Sequence, residues 1–384
     1  MANKNKQDRV LIYEADYTDG SLPGVIDEIL ASFPLELDGK TVLVKPNILA
    51  GHLPEKGVTT HPALVAAVVD RLRSAGATVM VGDNPGVFGY GRSEKAAEIS
   101  GIKEAAGGCE AAGGCFIQLG RTPVKQALAN PDVAQVMIAH DVLAADLVIN
   151  LPKLKTHGLT YYTGAVKNTF GYVVGGDKMR VHHQASTPRR FAAALVDIYA
   201  LRPPDLTIMD AIVAMEGNGP SNGRPRRLGK ILAGDNAVCL DAVAVSLVGK
   251  KPAAVPHLKI AAERGLGTID LDAIDCGADI VPAVGFKMPA TYVPGLMGIV
   301  LNRFLSGWIN CLPEVKEDVC KRCGLCVDHC PTGAMIMAKG DFPRADKEAC
   351  ISCYCCQEMC PEDAIELTGR VLRFLRRSPL RKEK

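Results

Sequence analysis

Lys40-Thr-Val-Leu-Val-Lys45-Pro46-Asn47 and Ala77-Thr-Val-Met-Val81-Gly82-Asp83, with Thr59-Thr60-His61-Pro62 between them, decide the fold. Each outer stretch is a continuous apolar run that ends in polar residues, as in a parallel strand covered on both faces. The middle stretch reads as a helix start, with Thr60 able to cap and Pro62 in the first turn; Gly76 stops that helix. The same alternation spreads outward in both directions. Arg9–Tyr13, Ala144–Asn150, Leu206–Asp210 and Leu228–Ala233 read as strands. Leu22–Phe33, Ala192–Tyr199 and Cys239–Val248 read as helices, and Glu216–Gly223 as a turn-rich loop. The expected fold class is α/β, a doubly wound and mainly parallel sheet with right-handed crossovers. Such sheets take ligands at the C-terminal ends of their strands.

The densest polar stretch follows one of these strands: Lys153-Leu-Lys155-Thr-His157, then Thr163-Gly-Ala-Val-Lys167-Asn168, then Lys178 and His182-His183. Lys153 and Lys155 alternate, so on an extended segment they share a face. Thr163–Asn168 resembles a helix start, whose free N–H groups favour an anion. We expect a seat for a small anionic substrate, with Lys45, Asn47, Lys155, Asn168 and Glu216 binding and His157, Lys153 and Lys167 as catalytic candidates. A solvated basic loop would have the same composition. Asp210, Glu216 and Asp235 are the acidic groups expected to meet the lysines, as ion pairs or in catalysis. The glycines at 86–91 have the wrong order for a dinucleotide fingerprint, and no Walker-type phosphate loop occurs. A flavin or further metal stays open.

Near the C-terminus the chain reads Cys320-x2-Cys323-x2-Cys326-x3-Cys330-Pro331 and again Cys350-x2-Cys353-x2-Cys356-x3-Cys360-Pro361. That doubled spacing holds two [4Fe–4S] clusters, the fourth cysteine of each run serving the other cluster. One set is then Cys320, Cys323, Cys326 and Cys360, the other Cys350, Cys353, Cys356 and Cys330. Zinc sites or disulfides are the competing readings, but zinc has no use for a crossed fourth ligand. Residues of about 313–368 resemble the bacterial-type two-cluster ferredoxin domain, a small α+β unit. Cys355 departs from the repeat and reads as a bystander.

A chain of 384 residues with 48% hydrophobic and 22% charged content has room for two or three domains, and a net charge of +2 gives no hint of nucleic acid. No apolar run suggests a membrane span, and the start lacks the apolar core of a signal peptide. We expect a reducing, anaerobic cytoplasm. The domain boundaries expected are 1–285, a linker with an amphipathic helix at 286–312, the cluster unit at 313–368 and a basic tail at 369–384.

Lys45-Pro-Asn47, Leu151-Pro-Lys-Leu-Lys-Thr-His157, Thr163-Gly-Ala-Val-Lys-Asn168 and Met209-Asp210 with Glu216-Gly-Asn-Gly-Pro220 together resemble the domain-of-unknown-function 362 family over about residues 9–285. Members are often joined to a two-cluster ferredoxin module. The resemblance implies an iron–sulfur protein of anaerobic metabolism with a binding or active site in its large domain, and it transfers no catalytic residue. The expected function is a ferredoxin-dependent reductase that receives electrons from a soluble carrier such as ferredoxin or flavodoxin, with the oligomeric state left open. The alternative is a non-catalytic electron-transfer or cofactor-assembly protein whose large domain binds a partner.

Overall fold

A computed structural model describes residues 8–85, 93–108, 115–292 and 312–368. The stretches expected as the glycine-rich 86–91 turn, Cys109, most of the linker and the basic tail lie outside the described residues. Fourteen strands run in chain order among the described residues. They are β1 (Val10–Glu14), β2 (Thr41–Pro46), β3 (Thr78–Val81), β4 (Pro123–Ala127), β5 (Gln135–Ala139), β6 (Leu147–Leu151) and β7 (Lys153–His157). Then come β8 (Tyr161–Thr163), β9 (Leu206–Asn218), β10 (Asn222–Gly234), β11 (Leu312–Val315), β12 (Met335–Ile336), β13 (Arg344–Ala345) and β14 (Ile365–Thr368).

The main sheet has the order β1-β10-β9-β6-β2-β3, with β7 also beside β9 and β8 beside β7. Pairs β9–β6, β6–β2 and β2–β3 are parallel, as the apolar runs imply. The β1–β10–β9 edge is antiparallel instead. The stretch expected as a turn-rich loop is the tip of that long hairpin. Glu216 and Gly217 pair with Arg224 and Gly223, so only Gly219-Pro220-Ser221 turns. Polar and glycine residues there mimic a loop in sequence, although Glu216 and Ser221 are buried in the fold.

Side-chain alternation along β2 shows why the strand is apolar throughout. Val42 and Val44 join the core made with the helices Leu22–Ser32 and Pro62–Ser74, while Leu43 faces the core of helix Pro188–Leu201 on the other side. Helix Pro62–Ser74 is capped by His61, whose Nδ1 accepts from Ala63 N at 3.2 Å, and not by Thr60. Thr60 is used elsewhere. Its Oγ1 accepts from Asn47 N (2.8 Å) and donates to Leu151 O (2.6 Å), which ties the loop after β2 to the end of β6.

The chain passes from β2 to β3 on one side and later places β6 on the other. The crevice between β2 and β6 at their C-terminal ends is therefore the position where open α/β sheets bind ligands.

Residues 312–368 pair as β11–β14 and β12–β13, both antiparallel. The thirty-residue repeat in the sequence is also a repeat of backbone. Arg322 and Ser352 have φ of 56° and 53°, and Gly324 and Tyr354 have φ of 79° and 63°. A left-handed tyrosine is strained. Tyr354 is held there by burial in the large domain's core, beside Leu159 and Phe170, together with Leu367. Gly158 faces this contact: a Cβ on it would lie 2.9 Å from Leu367 Cδ1 and 3.2 Å from Tyr354 Cδ2.

Candidate functional site

The end of β2, the end of β3 and the helix Ala165–Asn168 supply one side of a cleft of about 500 Å³, counting the solvent space at its mouth. Asn47, Asp83, Thr163, Lys167, Asn168, Lys178, His182 and Glu358 are its polar lining; Ile48, Leu49 and Phe170 are among its apolar groups. Glu358 comes from the C-terminal unit, midway between Cys356 and Cys360. The cleft is thus built by both parts of the chain.

The sequence-derived site residues divide into three groups. Lys167, Asn168 and Asn47 line the cleft. Lys45, fully buried, stands behind it, with Nζ 2.7 Å from Asp83 Oδ1 and donating to Pro46 O at 3.0 Å. Burial pulls its pKa down and Asp83 pulls it back up. Gly171 is required here, because a Cβ would fall on Asp83 Oδ1 and 2.6 Å from Lys45 Nζ.

Lys153, Lys155 and Glu216 are absent from the cleft's lining. Lys153 donates to Asp210 Oδ2 (2.9 Å) and to Tyr17 OH (3.0 Å), and Tyr17 stacks on His61. Asp210 is thus the acidic partner of a lysine, as expected, in a saturated buried network. Lys155 Nζ donates to Val58 O at 2.7 Å with no carboxylate beside it; burial, with Lys167 nearby, pushes its pKa well down. Glu216 accepts from Lys287 N at 3.1 Å and anchors the hairpin to the chain beyond it.

His157 lies behind the cleft. Its Nδ1 accepts from Leu159 N at 3.0 Å, so the ring proton sits on Nε2, which is 3.0 Å from Glu358 Oε1. Burial lowers the imidazole pKa to about 4, leaving it neutral at pH 7. The contact is electrostatic and imperfectly aligned for a hydrogen bond. His157 thus has Nδ1 taken by the backbone and Nε2 set against Glu358. The histidine in the cleft is His182, buried and stacked on Phe191 at 4.2 Å, while His183 is exposed.

The expected anion seat at the helix start after Thr163 is filled by the chain itself. Asp241 Oδ1 accepts from Ala165 N (2.7 Å) and Oδ2 from Val166 N (2.9 Å). Burial raises that carboxyl to about 7 against these bonds. The cations left for a ligand are Lys167 and Lys178. Lys167 makes no hydrogen bond or ion pair among the described residues; burial lowers its pKa and Glu358 raises it. Lys178 donates to Asn84 O and Pro85 O, and burial lowers it to about 7. Glu358 was not legible as a site residue, since its partners are some two hundred positions away.

In the C-terminal unit Cys320, Cys323, Cys326 and Cys360 line one cavity of about 340 Å³, and Cys330, Cys350, Cys353 and Cys356 line a second of about 340 Å³. No three His, Cys, Asp or Glu among the described residues converge as on a single ion; each set of four rings a space instead. A backbone N–H points at the last sulfur of each run, Met335 N to Cys330 Sγ (3.4 Å) and Ala364 N to Cys360 Sγ (3.2 Å). Such bonds favour a thiolate. Cys355 is fully buried and lines neither cavity.

The model of the domain-of-unknown-function family DUF362 matches residues 42–246. The chain belongs to this family. A 4Fe-4S binding domain model matches residues 313–336, so the DUF362 domain is joined to an iron–sulfur unit. The chain is 34% identical over 256 residues to the thylakoid-associated protein sll1697 of Synechocystis sp. (strain ATCC 27184 / PCC 6803 / Kazusa), covering 66% of this chain and 77% of that protein. Two solved structures are similar at a TM-score of 0.39 and 12% identity. The lactate racemase apoprotein of Thermoanaerobacterium thermosaccharolyticum covers 61% of this chain, which spans 55% of it; a protein from Thermotoga maritima covers 65%, and 60% of it is spanned. Likeness at that level carries no argument here. No helix among the described residues is long and apolar enough to cross a membrane.

Proposed function

We propose that this DUF362 protein is an iron–sulfur oxidoreductase that reduces a small anionic substrate held in the cleft between β2 and β6. One observation carries this reading: Glu358, two residues from Cys356, lines the same cleft as Lys167 and Lys178. Each cysteine-lined cavity has four thiols around one space and fits a [4Fe–4S] cluster, in the crossed sets given by the spacing. Such clusters supply one electron at a time. A soluble carrier of the ferredoxin or flavodoxin type is the donor this reading calls for.

The residues of the DUF362 domain do the rest. Lys167 and Lys178 attract the anion into a site largely screened from water, where a charge-assisted bond is worth more than at the surface. Lys167, with its pKa lowered by burial, holds a proton at Nζ that it can release to a reduced substrate. Glu358, beside His157, favours the charged form of that ammonium through its field.

The test uses full-length protein reconstituted with iron and sulfide under anaerobic conditions, reduced with dithionite, and mixed with anionic metabolite fractions from a deproteinised extract. We expect a fraction that reoxidises the wild type, and a rate roughly ten- to a hundredfold lower in Lys167→Met at equal iron content. Equal rates in both proteins would show that electrons leave without passing the cleft.

A further inference from the structure

Three asparagines, two near strand ends and one in the helix Ala165–Asn168, fix the hydrogen-bonding polarity of one atom in the cleft. Asn150 Nδ2 donates to Ala165 O at 3.1 Å, so Asn150 Oδ1 is an acceptor. Asn168 Nδ2 donates to that oxygen at 2.8 Å and lies 3.4 Å from the Lys45 and Pro46 carbonyls. Asn168 Oδ1 in turn accepts from Asn47 Nδ2 at 2.8 Å. Turning any one of these amides over would set oxygen against oxygen or N–H against N–H, and the Ala165 carbonyl at the end of the relay cannot change role.

The outcome is that Asn47 Oδ1 is an acceptor with no partner among the described residues, on a side chain only 8% exposed that lines the cleft. Thr163 Oγ1 and His182 Nδ1, on other lining residues that are also buried, lack partners too. Buried polar atoms are ordinarily bonded, and an orphan in a cleft marks what a ligand is expected to bring. Cations elsewhere in the lining select an anion, yet an anion with acceptors alone would leave Asn47 Oδ1 unmet.

We infer that the cleft selects a small anion carrying its own O–H or N–H donor, with its charged oxygens toward Lys167 and Lys178 and its donor toward Asn47 Oδ1. This rests on the anion site proposed above and narrows its ligand class. A hydroxy- or amino-carboxylate meets the requirement, and so does a phosphate that retains a proton.

Two matched pairs separate these sources and test the inference by calorimetry on the full-length, anaerobically reconstituted protein. Glycolate is compared with methoxyacetate, whose donor is blocked, and hydrogen phosphate with sulfate, which has no donor at neutral pH. The donor-bearing member of at least one pair should bind roughly tenfold tighter or more, since a site built to bond a donor rejects the analogue lacking it. The preferred pair tells carboxylate from phosphate. Asn47→Leu should erase the preference while leaving the donor-less anion bound, and Lys167→Met should weaken both members. The wild-type comparison stands even if a variant folds poorly. Equal binding within both pairs would overturn the inference and leave the anion site intact, whereas binding of none would overturn both. Selective binding without any reoxidation in the extract assay would remove the redox reading alone.

Discussion

Lys45→Met should lower the stability of the folded chain by about 3–5 kcal/mol, the usual consequence of removing one partner from a buried ion pair. Lys45 is fully buried and Asp83 is 3% exposed, so loss of the ammonium strands a carboxylate with little access to water. Asp83 cannot swing away, because its Oδ2 accepts from Ile48 N at 2.7 Å and Gly171 packs against its Oδ1. The double variant Lys45→Met with Asp83→Asn should recover most of the loss, since the amide still offers an oxygen to Ile48 N and carries no charge. Urea unfolding of the three proteins measures this. An unchanged midpoint in Lys45→Met would mean that Asp83 is neutral or hydrated in the folded state. The pair matters to function because Asp83 lines the cleft, and its collapse would carry the end of β3 into the space reserved for the ligand.

The second large effect concerns the order of the two cysteine sets. Cys353→Ser and Cys323→Ser should each lower bound iron to about half, because each removes a ligand from one set of four. They should differ in reoxidation. Glu358 stands two residues from a member of each set, but of the two cavities only the one containing Cys353 is lined by Tyr354, which is buried in the large domain's core. With dithionite as the reductant, Cys323→Ser should retain reoxidation by the active extract fraction and Cys353→Ser should lose it. Iron assay and absorbance in the visible range read both quantities. The reverse pattern would place the electron exit on the other face of the C-terminal unit.

Much of the architecture was legible because it follows from local chemistry. The apolar runs at Val42–Val44 and Val148–Ile149 are buried on both faces and became parallel strands as their pattern requires. The edge hairpin was not legible, since Arg224, Pro225, Arg226 and Arg227 are a polar strand whose pairing comes from β9 alone. In the cleft, position along the chain pointed to Lys167, Asn47 and Asn168, which line it at the C-terminal edge of the sheet. Position could not tell that Lys153 and Lys155 would spend their charge on Asp210 and Val58 O, nor that Asp241 would fill the helix start at Ala165. Those partners are distant in sequence, and a lysine's residue type does not reveal who neutralises it. Glu358 was hidden for the same reason, as one acidic residue within a cysteine run.

Iron-edge anomalous scattering from crystals of the anaerobically reconstituted protein locates the clusters. Two compact iron peaks are expected, one enclosed by Cys320, Cys323, Cys326 and Cys360, the other by Cys330, Cys350, Cys353 and Cys356 and adjoining the helix that carries Glu358. A single iron peak, or two peaks each enclosed by the four cysteines of one uncrossed run, would contradict that expectation.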